Sequence, residues 1–218
     1  MAGRRRNAMF TATLRFSHWL DRPAVWLGGA GAWLLLPMIA VIAFDVIGRR
    51  YVRHLDFIVE NDLHHYINSP KLQDSEWHFS AALILLALGY AFSRNVQIRL
   101  DIVRHRMSAR TKLWIELAGT LVLLPFLAVM IYYAFDFVAF AWKSDEQSAV
   151  LIGLSHRWVI KSALLVGLVS LALAALSLVL RILVWLYGPP ELVARARLES
   201  LTAARPGAED PAERPHSS

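Results

Sequence analysis

Long apolar runs alternate with charge-rich segments along this chain. The runs cover residues 23–44, 77–93, 117–135 and 162–180. At ~1.5 Å of rise per helical residue, each is long enough to cross most or all of a ~30 Å hydrocarbon layer. Inside lipid every backbone N–H and C=O must be paired within its own segment, so such runs are helices. The ~10-residue alternating segments of a membrane barrel are not seen. With their flanks, the predicted spans are about 23–47, 76–93, 114–142 and 158–187. The expected fold class is an all-α integral membrane protein with four transmembrane helices. It divides into a basic N-terminal segment at 1–22, a membrane domain at 23–188 and a tail at 189–218.

Shorter patterns predict additional elements. Leu55, Ile58, Val59, Leu63, Tyr66 and Ile67 recur at helical spacing with acids between them. This predicts an amphipathic interfacial helix over about 54–68, ended near Ser69 and Pro70. Phe10, Leu14, Phe16, Trp19 and Leu20 suggest a second interfacial helix over 9–20, leading into the first span. A third short one is expected over 189–202, after Gly188-Pro189-Pro190. The last stretch, 203–218, is rich in Pro, Ala, Glu and Arg and is expected to be disordered. Arg4, Arg5 and Arg6 look like the start of a signal peptide, but the apolar run that follows is too late and too long for one. It is therefore expected to remain as the first span.

Charge sets the orientation. Residues 1–23 carry five arginines against Asp21, and the 94–112 segment carries six basic residues against Asp101. The 48–75 and 143–157 segments are close to balanced in sign. The positive-inside rule then predicts that both termini and the 94–112 segment are cytoplasmic. Trp26, Trp77, Trp114, Trp142, Trp158 and Trp185 fall near predicted span ends, where amphipathic rings favour the headgroup region. Trp33 lies deeper and is expected to pack on a neighbouring helix. The net charge of +6 belongs beside membrane ends, so no nucleic-acid partner is expected. With no cysteine, the chain has no disulfide, thiolate metal site or cysteine nucleophile.

The spans themselves lack chemistry. Asp45, Glu76, Glu116, Asp136, Lys161 and Arg181 each lie within a turn or two of a predicted span end. Charges at mid-depth, the usual mark of an ion or substrate path, are missing. Pro37 and Pro125 are the intraspan prolines and are read as kinks. His78 is the only histidine within a predicted span, and it is near the span's end, so paired haem ligation is not supported. His64 and His65 are neighbours and point ~100° apart on a helix, which argues against a shared metal ion. No catalytic, cofactor-binding or metal residue is therefore expected. Packing residues are abundant instead: Gly28 to Ala32 in the first span, Ala81, Ala82 and Gly89 in the second, and Gly167, Ser170, Ala174 and Ser177 in the fourth. No internal repeat relates the halves, unlike many complete transporters. The residues describe a helical membrane protein that braces a partner.

The order of features resembles the small membrane subunit of tripartite ATP-independent periplasmic (TRAP) transporters, the DctQ-like family, over about 23–188. The first span closes on Asp45-Val-Ile-Gly-Arg-Arg-Tyr51, similar to the family's Arg-Tyr ending. Ser75-Glu76-Trp77 is similar to its acidic start of the second span. Ala87 to Asp101 follows its small-residue helix end and Arg/Asp near-repeat, with Gln97 where histidine is common. Ser108 to Glu116 is similar to the basic linker into the third span, and Ser148 and the Trp158 region to the outer segment before the fourth. The segment from Arg53 to Lys71 is longer than the family's usual one and is similar to a subgroup linked to 2-oxoacid, mannitol or chloroaromatic uptake.

The resemblance implies a large, DctM-like permease subunit that carries the substrate and ion sites, and a periplasmic binding protein that delivers an organic acid. It also implies a bacterial inner-membrane location with lipid as the remaining partner. The candidate interface or structural residues are Arg50, Tyr51, Glu76, Trp77, Gly28, Gly89, Arg99 and Asp101. Arg50 and Glu76 are expected to pair with each other or with the large subunit, and Arg99 and Asp101 to order the inner segment. The helix at 54–68 is a candidate docking element for the binding protein. The competing functions are a stand-alone small transporter or channel and a membrane anchor for a redox complex.

Overall fold

The computed structural model describes residues 2–51, 70–96, 107–146 and 156–193, with Ala196 and Leu198; the side chains of 2–6, 70 and 191 are excepted. The helix expected at 54–68, and Arg99 and Asp101, lie outside these residues.

Helix α1 (Ala2–Trp33) runs almost without a break into α2 (Leu35–Arg50). The interruption at Leu34 follows from Pro37. Proline has no N–H to give to the carbonyl four residues back, and its ring crowds that carbonyl. The affected carbonyl is that of Trp33, the last residue of α1. Leu34 N–H bonds instead to Gly31 O at 3.0 Å, a tighter turn, and Met38 N–H resumes the ladder onto Leu34 O at 3.1 Å. Pro125 leaves its own helix unbroken.

The segment Asn7–Arg50 is one apolar candidate span of 44 residues. At ~1.5 Å per residue it measures ~66 Å, twice the ~30 Å core, so part of it stands outside the hydrocarbon. Residues 9–20 are thus the first part of α1 and not a separate interfacial helix. The reason lies in the spacing: Leu14, Ser17, Leu20 and Ala24 are all buried on one face at steps of three and four. That face keeps α1 on the bundle past Pro23.

Three further long helices follow: α3 (Pro70–Ser93), α4 (Ala109–Lys143) and α5 (Trp158–Tyr187). The hydroxyl of Ser108 caps α4 by accepting from Thr111 N–H at 3.2 Å. Among the described residues, four helical stretches, counting α1 and α2 as one, are long and apolar enough to cross a membrane. No strand occurs among the described residues.

Helix α5 is the centre of the bundle and packs on α1, α3 and α4, while α3 also packs on α1 and α2. Small residues make the α3–α5 seam. A Cβ at Gly89 would lie 2.8 Å from the backbone carbon of Ser170, and one at Gly167 would lie 2.9 Å from that of Leu85. Both distances are below any real contact, so glycine is required for the backbones to meet. On the other side of α3, Gly28 of α1 sits against the Tyr90 ring.

A short helix, α6 (Pro190–Val193), follows α5. The tail begins as part of the fold: Leu192, Ala196 and Leu198 are buried with Leu14, Leu113, Leu117, Leu178 and Ile182. Trp33, by contrast, is 71% exposed and packs on no inner face. It stands two positions after Gly31, which faces α3, so the ~100° step per residue turns it away from the bundle.

Candidate functional site

Charged residues gather at the ends of the spans. On α5, Lys161 and Arg181 are the bounding charges, and every residue between them is uncharged. Twenty residues at ~1.5 Å each separate them by ~30 Å, the thickness of a hydrocarbon core. Each is buried, and each is paired.

At the end that carries the N-terminus, Arg181 Nη2 meets Asp21 Oδ2 at 2.6 Å, with side-chain exposures of 8% and 14%. Beside this pair, the Ser177 hydroxyl donates to Ser17 O at 2.8 Å. Helices α1 and α5 are thus joined by two polar contacts in one layer. Ser93, at the end of α3, lines the same cavity wall as Asp21. The i, i+4 geometry of α1 puts Ser17 and Asp21 on the same face, directed at α5.

At the opposite end there are two clusters. Arg49 pairs with Asp45 one turn earlier on α2, and Asp45 is buried. The Gln73 side-chain amide lies against both terminal nitrogens of Arg49, and with its oxygen assigned to that side it accepts from them at 2.5 and 2.8 Å. Glu76 is the next acid in reach of that guanidinium. Arg50 is exposed, and no ion pair joins it to Glu76. The ion pair formed at this end is instead Arg49 with Asp45, because Arg49 lies one turn after Asp45 on the face toward α3 and Arg50 is rotated ~100° away.

In the second cluster, Lys161 of α5 pairs with Glu146 just after α4 and lies 3.7 Å from the centre of the Phe137 ring. Arg157 approaches the other Glu146 oxygen at 3.6 Å, and the rings of Trp142 and Trp158 meet edge to face at 4.6 Å. A desolvated cation over an aromatic face contributes attraction beyond the ion pair.

Of the candidate residues, Gly28 and Gly89 form close helix contacts. Tyr51 caps the end of α2 and is exposed, as is Trp77 on α3. Sequence reasoning did not find Asp21, Arg49, Gln73 or Glu146 as partners. The Asp45–Arg49 spacing of four was a visible signal for one of these pairs; the partners Asp21 and Arg181 are 160 positions apart and carried none. Among the described residues, no group of three or more His, Cys, Asp or Glu side chains is arranged to hold a metal ion.

The family described as tripartite ATP-independent periplasmic transporters, DctQ component, matches residues 38–184. The chain belongs to the DctQ family. The match covers about two thirds of the chain, from the residue after Pro37 to near the end of α5. No curated protein and no solved structure shows significant similarity to the chain. A DctQ component is the small subunit of a TRAP transporter, and the ion-pair layers at the span ends belong to that subunit. The Asp21–Arg181 pair crosses the limit of the match: Arg181 lies within it and Asp21 before it.

Proposed function

We propose that this chain is the static membrane subunit on which a large, DctM-like permease subunit is mounted. The complex takes up an organic acid delivered by a periplasmic binding protein and is driven by an ion gradient. The DctQ match is the observation that carries this reading. The placement of charge supports it, because Lys161 and Arg181 are locked in pairs at the two ends of α5 and the stretch between them is neutral. A substrate or ion path at mid-depth would need polar groups there. In this reading both termini are cytoplasmic, in the inner membrane of a bacterium, as the arginine-rich N-terminal segment favours.

The outward face of α4 is the surface best suited to the large subunit. It presents Phe126, Tyr132, Tyr133, Phe135 and Phe140, all more than half exposed. Aromatic side chains are enriched where protein surfaces meet. Arg50, Tyr51, Glu76 and Trp77 remain secondary contact candidates.

The test is affinity purification of the tagged chain from its native membrane, followed by identification of what comes with it. A large multi-span permease is expected in stoichiometric amount, and solute uptake is expected only when both subunits and the binding protein are reconstituted. Uptake by vesicles that contain this chain alone would overturn the proposal.

A further inference from the structure

A cavity of about 680 Å³ opens beside the Asp21–Arg181 pair, between α1, α3 and α5. His18, Asp21, Arg22, Ser93, Arg94 and Arg181 supply its polar wall. Arg22 and Arg94 are exposed and form no ion pair among the described residues; Arg94 stands over the Tyr90 ring at 5.4 Å. Asp21 is the only acid in the wall among the described residues, and it is already engaged by Arg181. The cavity therefore carries two uncompensated guanidinium groups. Half of its polar wall comes from α1, before the region matched by the family.

Depth narrows what can bind. Arg181 lies ~13 Å along α5 from the helix midpoint, close to the edge of a ~30 Å hydrocarbon core. A guanidinium at that level meets the phosphate layer of the bilayer. Val25 and Trp26 also line the cavity and are 38% and 72% exposed, which provides an apolar wall next to the cations. A soluble anion would use the arginines alone. A phospholipid would use both parts: its phosphate against the forked guanidinium donors and an acyl chain along Val25 and Trp26.

We propose that this cavity binds the phosphate group of an anionic phospholipid, held by Arg22 and Arg94, with the buried Asp21–Arg181 pair as the rigid floor. The bound lipid would fill the space between α1 and the ends of α3 and α5.

Native mass spectrometry of the full chain, purified in detergent and titrated with phosphatidylglycerol or phosphatidylcholine, tests this. Wild-type protein is expected to bind phosphatidylglycerol in preference to phosphatidylcholine. The double variant Arg22→Gln/Arg94→Gln, which leaves the buried pair intact, is expected to lose about tenfold in affinity or more, since charge-assisted hydrogen bonds are removed. Arg50→Gln at the opposite end should leave binding unchanged. Equal binding of the two lipids, an undiminished double variant, or displacement of the lipid by millimolar inorganic phosphate would each overturn the proposal; the last would make the ligand a soluble anion. A second measurement alters no arginine. Brominated phosphatidylglycerol should quench wild-type fluorescence more than that of Trp26→Phe, and identical quenching would count against the site.

Discussion

Helices α4 and α5 are neighbours of similar length, 35 and 30 residues, yet α4 has seven buried residues and α5 thirteen. Both are strongly apolar, so hydrophobicity does not explain the difference. Side-chain size does. The buried face of α5 includes Gly167, Ser170, Ala174, Ala175 and Ser177, which let three helices approach it. The exposed face of α4 carries large rings at Phe126, Tyr132, Phe135 and Phe140. Lipid is as apolar as leucine, so in a membrane a large apolar side chain gains little by turning inward. Close packing and polar pairing decide which helix becomes the centre. α5 has both and is pinned at each end by a buried cation, Lys161 or Arg181.

The largest effect is expected from breaking the pin. Arg181→Ala leaves the part-buried Asp21 without its partner and should destabilise the chain by about 1–3 kcal/mol. Thermal unfolding of the purified protein in detergent measures this. Replacing both residues, Asp21→Leu with Arg181→Met, should recover most of the loss, because an apolar pair of similar volume leaves no stranded charge. A double variant as unstable as the single one would show that the pair acts through something other than its charges.

The same glycine substitution on the two helices sharpens the contrast. Gly167→Leu drives a side chain into the Leu85 backbone and should destabilise by ~1–3 kcal/mol or prevent assembly. Gly119 on α4 faces open space, and Gly119→Leu should be neutral or slightly stabilising in the same unfolding assay, since a helix gains about 1 kcal/mol when glycine leaves its interior. Equal destabilisation at both positions would contradict the assignment of α5 as the packed helix.

The smallest effect on the isolated chain is expected on the outer face of α4. Tyr132→Ala with Phe135→Ala should change its stability by less than about 0.5 kcal/mol per site. The same pair of changes should lower the recovery of the large subunit in co-purification if α4 forms the mounting face. Full recovery would move that face elsewhere.

The sequence by itself determined the class of the molecule. Four apolar runs of bilayer length, with charges held to their ends, are local properties that need no partner to be recognised. The order of motifs from Asp45 to Trp158 was also sufficient to indicate the DctQ family. The i, i+4 relation of Asp45 and Arg49 was legible too, although the expected pair at this end was Arg50 with Glu76 or with the large subunit.

Only the tertiary structure decided which helix lies at the centre, which charges are paired and where the cavity forms. Asp21 meets Arg181 across 160 positions, and Gly89 meets Ser170, because separate helices lie side by side at a particular rotation. That rotation depends on the sum of all inter-helix contacts, which no single segment encodes. It also turned Trp33 outward and kept residues 9–20 on the bundle, where a local pattern suggested the opposite. In lipid the choice between faces is a matter of shape and polar satisfaction, and both are relations between helices.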